Sequence, residues 1–120
     1  MRPATEAAAT PQWTPPVDIG ENDAEFVLKA ELPAVKKENI EVNVDHGTLF
    51  IRGERNLENE EEGLKLHRLE RVYGRFERSF SLPTEADPDE ITSEFNNGVL
   101  TVHLPKNPGA KSAAHLIPVS

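Results

Sequence analysis

The sequence predicts an all-β protein built as a sandwich of two sheets, and three observations carry that expectation. First, the stretch Ile91–Pro105 reads as a β-hairpin. Asn97-Gly98 supplies the positive φ angles of a tight two-residue turn, and Ile91, Phe95, Leu100, Val102 and Leu104 alternate around it. Second, the plan has an echo upstream, where Ile40, Val42 and Val44 lead into Asp45-His46-Gly47 and Leu49 and Ile51 return. Leu32-Pro33 and an acidic link precede one hairpin as Leu82-Pro83 and an acidic link precede the other, so two equivalent hairpins can stack as layers. Third, ten prolines and seven glycines punctuate 120 residues, and no long stretch has a helical period.

Composition narrows the function. A chain of 120 residues makes one domain with a single sandwich-sized core. The absence of cysteine excludes disulfides, thiolate catalysis and cysteine metal sites, and permits a reducing compartment. No run approaches the ~20 apolar residues of a membrane span, and the N-terminus lacks the apolar core of a secretory signal, so a soluble cytoplasmic protein without membrane partners is expected. The net charge of −8, with basic residues interleaved among acids, argues against nucleic acid.

Residues 1–16 form a low-complexity arm with prolines around Trp13, which either anchors a partner or lies on the adjacent domain. The domain proper is expected over 17–105. A short strand, Val17–Ile19, comes first. Ala24–Leu32 follows as a half-buried strand, with Phe26, Leu28, Ala30 and Leu32 on one face. Pro33 ends it, and a polar link, Ala34–Asn39, leads to the hairpin of Ile40–Ile51. The acidic run Glu58–Gly63 repels itself and makes an exposed loop. Beyond it Leu64–Glu70 is strand-like, and a strand on a long stalk is free to pair away from its own body, exchanging between subunits. Arg75–Leu82 is another strand whose apolar face, Phe76, Phe80 and Leu82, also carries Arg78. A buried guanidinium needs a partner, so Arg78 either snorkels at the rim or faces acids such as Glu70 at a subunit interface.

The tail, 106–120, is polar except for a terminal apolar island. Ile117 and Val119 sit two apart and share a side of an extended chain, while Pro118 removes one donor. This is the pattern of β-strand addition to a sheet edge on another copy of the chain. Burying two aliphatic side chains contributes roughly 3–6 kcal/mol. Ordering the tail cancels a good part of that, leaving a weak, exchangeable contact that becomes firm only when several act together. The alternative is an idle terminus with incidental aliphatics.

These residues also carry a resemblance. Pro16–Ile19, Ala30-Glu-Leu-Pro33, Gly47-Thr-Leu49, Ile51-Arg-Gly-Glu54, His67–Arg71, Tyr73–Phe76 and Ser79–Pro83 resemble, in order and spacing, the small heat-shock protein (α-crystallin) family, bacterial branch. The most specific matches are Phe95-Asn-Asn-Gly-Val-Leu-Thr-Val102 and Ile117-Pro-Val119. The resemblance implies an immunoglobulin-like β-sandwich. It also implies a homodimer made by exchange of the strand after the acidic loop, here Leu64, Leu66, His67, Arg68, Leu69 and Glu70. It implies docking of Ile117 and Val119 in a groove between the edge strands of the two hairpins, here Ile40, Val42, Val44, Ile91 and Phe95, which ties dimers into larger homo-oligomers. The implied activity is that of a holdase without ATP or other cofactor, which keeps unfolding client proteins soluble until ATP-driven chaperones take over. Three departures stand out: an arm shorter and poorer in Phe than is usual, Ser93 where Ala is common, and Val119 for Ile. The second is expected to matter little; the third weakens docking slightly.

An enzyme is not expected. His46, His67, His103 and His115 are dispersed, without metal-ligand spacing, and no nucleophile or phosphate-binding motif occurs. The alternative binding reading is a monomeric co-chaperone adaptor of the CS-domain type. The acidic loop with its strand and the Ile-Pro-Val tail would both be superfluous there.

Overall fold

Turn chemistry sets the registers of this fold. His46 and Gly47 have φ of 50° and 81°, and Asn97 and Gly98 have 54° and 77°. Paired positive angles are those of a type I′ turn, whose twist matches that of the strands it joins. The computed structural model describes residues 13–56, 65, 67–107 and 115–120. Its strands are β1 (Val17–Glu21), β2 (Glu25–Glu31), β3 (Ile40–Asp45), β4 (Thr48–Arg55), β5 (Gly74–Ser81), β6 (Thr92–Asn96), β7 (Val99–Pro105) and β8 (His115–Ile117). The two turns join β3 to β4 and β6 to β7, with Asp45 opposite Thr48 and Asn96 opposite Val99.

The strands make two four-stranded antiparallel sheets, ordered β1-β2-β7-β6 and β5-β4-β3-β8. Period-two alternation turns one face of each toward a shared core. Leu28, Ala30 and Leu32 from β2 and its end, with Leu100, Val102 and Leu104 from β7, meet Val42, Val44, Leu49, Ile51 and Phe76 of the other layer. The fold is therefore the all-β sandwich that the hairpins predict. Differences are local: β1 runs on to Glu21, and the link before β3 contains a 3₁₀ turn at Lys37–Asn39.

Gly53 is a point of close approach. It lies between Ile40 of β3 and Phe76 of β5. A Cβ there would meet the Asn39 carbonyl and stand 2.7 Å from Phe76 Cζ. The aromatic ring occupies the space that a side chain would need, which fixes the residue as glycine.

One expected strand is not formed within the chain. Lys65 and His67–Glu70 are exposed and outside any strand, and Leu64 and Leu66 lie outside the described residues, as does the acidic run Glu58–Gly63. The physical reason is that the strand it follows has no free side. In its own sheet β4 already has β3 and β5 on its two sides, and a strand without a partner leaves its backbone groups to water.

Gly53→Ala should lower unfolding stability by about 1–3 kcal/mol, the range for overpacking. Denaturant titration checks this, and an unchanged midpoint would show that Phe76 moves aside freely.

Candidate functional site

Where the two layers present neighbouring edges, β3 from one sheet and β6 from the other, a groove runs between them. The end of the chain fills it. His115–Ile117 extends antiparallel to β3, with Ile117 opposite Val42 and His115 opposite Val44. After Pro118 the backbone changes layers: Val119 makes a parallel bridge to Ser93 of β6. Ser120 N–H donates to the Ser93 carbonyl at 2.9 Å, and Phe95 N–H donates to the Ser120 carbonyl at 2.8 Å. Pro118 sits at the crossing, where an N–H would have to be satisfied by one sheet or the other and proline has none.

Two aliphatic side chains anchor the segment. Ile117 is 4% exposed and belongs to the core cluster, and Val119 packs against that cluster from the rim. The walls are Ile40, Val42, Val44 and Ile91, all buried, with Phe95 half-buried. A cavity of about 470 Å³ continues beside the docked tail, bordered by Lys37, Glu38, Glu41 and Val42. The structure thus brings Ile117 and Val119 together with the groove residues expected from sequence. The occupant is the chain's own terminus.

The remaining expected site residues are arranged otherwise. Arg68 and Glu70 form an exposed pair at 2.9 Å, and His67 and Leu69 face solvent. Arg78 is half-buried: its Nη1 donates to the Pro15 carbonyl at 2.7 Å, and the guanidinium lies 5.0 Å from the centre of the Phe80 ring. Residues 13–15 therefore line the outer edge of β5. There Trp13 N–H donates to the Arg75 carbonyl at 3.2 Å and Trp13 Nε1 to the Gly74 carbonyl at 2.9 Å. β1, by contrast, is an edge strand with Ile19 56% exposed on it.

Arg55 is the organising residue that sequence reasoning passed over. It is 9% exposed. Nη1 donates to the Pro33 carbonyl at 2.9 Å, and Nε donates to the Val72 carbonyl at 2.9 Å, with Nη2 reaching the same oxygen. Its guanidinium also lies 4.1 Å from the centre of the Trp13 ring and 5.8 Å from that of Tyr73. One cation thus ties the arm, the corner after β2 and the chain entering β5. The signal was in the alternation, because Leu49, Ile51, Gly53 and Arg55 share the inward side of β4.

Among the described residues no group of three metal-ligating side chains occurs. His103 stands between Glu25, 3.3 Å away, and Glu94, 3.8 Å away, on the outer face of its sheet. Lys106 donates to Glu21 at 2.8 Å, and this bond holds its pKa above the ordinary lysine value. Among the described residues no helix is long and apolar enough to cross a membrane.

Comparison with known proteins places this geometry. Residues 18–120 match the Hsp20/alpha crystallin family. Small heat shock protein C2 of Rickettsia felis is 38% identical over 98 residues, which cover 82% of this chain and 64% of the relative. The 18.1 kDa class I heat shock protein of Arabidopsis thaliana is 46% identical over 105 residues, 87% of this chain and 65% of the relative. The chain thus spans a little under two thirds of the length of these two relatives. Among solved structures, a small heat-shock protein from Xylella fastidiosa superposes with a TM-score of 0.73 at 44% identity, covering 83% of this chain and 92% of that one. The hspA of Xanthomonas axonopodis gives 0.70 at 49% identity, covering 82% and 99%.

Arg55→Ala should strip the Val72 and Pro33 carbonyls of their donor and release Trp13, at a cost of about 1.5–3 kcal/mol, the range for a hydrogen bond to a charged group. Trp13 is the only tryptophan, so its emission should shift to the red in the folded variant. Unaltered emission would show that the arm is held without Arg55.

Proposed function

Since the chain belongs to the Hsp20/alpha crystallin family, we propose that it is a holdase chaperone. It binds unfolding proteins without ATP, keeps them from aggregating, and leaves their refolding to ATP-driven chaperones. The observation that carries this reading is the tail-filled groove. Its ligand is an extended segment held by two aliphatic side chains and a few backbone hydrogen bonds, with ordering costs opposing the burial. Such a contact opens readily, and its energetic alternative is the same contact on a neighbouring copy. Exchange of tails between copies then joins subunits into larger assemblies, each contact weak and the set firm. The distinct high order structure described for the Xylella fastidiosa relative supports assembly of this kind.

The dimer forms through β1. Of the sheet edges, β6 is occupied by the tail and β5 by residues 13–15, whereas β1 presents a free ladder with Ile19 beside it. The segment 64–70, including Leu64, Leu66, His67, Arg68, Leu69 and Glu70, finds there the partner that it lacks in its own chain, on the second subunit. Arg78, whose Nη1 donates to the Pro15 carbonyl, belongs with this interface and steadies the arm beside it.

A vacated groove exposes Val42, Val44, Ile91 and Phe95 between two hydrogen-bonding edges. Unfolding clients expose the complementary features, alternating apolar side chains on extended backbone. The acidic surface, net −8, keeps a loaded complex dispersed. A chain with no cysteine suits the cytoplasm. The family and relatives matched are heat-shock proteins and not an enzyme family, and they give no support to the CS-domain adaptor.

The double variant Ile117→Ala/Val119→Ala should reduce the native mass to that of a dimer in sedimentation at any concentration where wild type is larger. Full-size wild-type assemblies from the variant would remove the tail from the mechanism. Light scattering of a heat-denatured client tests the activity itself: suppression without nucleotide is expected, and aggregation at an equimolar ratio of chain to client would refute it.

A further inference from the structure

Ser93 lies on β6 opposite Val102, in a position of the core face. It is 3% exposed, and among the described residues it shares the status of buried polar side chain with Arg55. Arg55 has its partners inside the sandwich. The partner of the Ser93 hydroxyl is on the detachable tail, where Oγ donates to the Pro118 carbonyl at 3.0 Å. The same residue's backbone carbonyl accepts from Ser120 N–H at 2.9 Å. Ser93 therefore holds the tail at two points, one on each side of Val119. A buried hydroxyl is costly unless it is hydrogen-bonded, so its satisfaction depends on what occupies the groove.

We infer that Ser93 is the specificity-determining residue of the groove. It selects extended segments whose carbonyl between two branched aliphatic residues lies against the hydroxyl and whose next residue after the second aliphatic carries a free N–H. This rests on the proposal that the groove takes aliphatic-x-aliphatic segments, and it adds the rule by which they are aligned. The polar atom midway along an apolar floor penalises any segment that brings a methyl group to that point, since the hydroxyl is then buried without a partner. Proline is accepted at 118, because only its carbonyl is used there. It is excluded at 120, because the Ser120 N–H is used. A shift by one residue would also turn Ile117 and Val119 outward, so hydroxyl and anchors enforce one register.

Amide hydrogen exchange in the full chain tests this, read at the Phe95 N–H, which donates to Ser120, against the amides of the central strand β7. Ser93→Ala should accelerate exchange at Phe95 by roughly 2- to 10-fold, the range expected for one lost hydrogen bond, with β7 unchanged. Ser120→Pro, which leaves the groove intact, should do at least as much. If Ile117→Ala accelerates exchange at Phe95 and neither of these variants does, Ser93 has no role in selection and tail docking stands. If Ile117→Ala also changes nothing, the docking proposal itself fails. Should Ser93→Ala loosen β7 as well, the hydroxyl serves the fold and its role in selection fails.

Discussion

Every strand at the margin of an open sheet carries a row of backbone donors and acceptors that its own sheet cannot satisfy. In this molecule that constraint governs what the rest of the chain does. Apart from the tail strand β8, the two sheets have four margins, at β1, β6, β5 and β3. The β5 margin is lined by Trp13 and Pro15, those of β3 and β6 are bridged by the terminal residues, and among the described residues none lines β1. The segments outside the sandwich are thus short ligands for its edges. A ligand that is covalently attached to one copy fits the edge of another equally well, which is the basis of the assembly proposed above.

The arginines show how the ligands are held. Arg55 and Arg78 both project from the interior-facing side of their strands, and both end on backbone carbonyls and aromatic rings. A planar guanidinium can fan several donors toward carbonyls while its faces rest on rings, so it clasps irregular backbone without an opposing carboxylate. That is why Trp13 and Pro15 are held against the sandwich. Removal of the charge would leave carbonyls unsatisfied, and replacement by lysine would lose the planar stack.

Much of the fold was legible because it rests on short-range rules. Asn97-Gly98 and His46-Gly47 announce their turns, the alternation of Leu100, Val102 and Leu104 gives the buried face, and Ile117-Pro-Val119 has the spacing of an edge ligand. What was not legible depends on contacts between residues far apart in sequence. Arg78 looked like a candidate for an acidic partner, and its actual acceptor, the Pro15 carbonyl, belongs to a segment without pattern. Arg55 attracted no attention although its parity places it inside. Ser93 was read as a neutral substitute for alanine, since a hydroxyl on a mostly apolar face shows its use only when the carbonyl that it meets is in place. The segment after the acidic loop reads as a strand because its composition suits one, and composition does not say whose sheet completes it.

The passage of the tail from β3 to β6 has a mechanical corollary. A single extended segment stitched to both layers measures the gap between them, from Val42 on one side to Ser93 on the other. Warming that lets the layers slide or part by a fraction of a strand spacing strains the stitch at once, while the interdigitated side chains between the layers still touch. The terminus therefore gauges the spacing of the two layers, since its hold depends on both at once.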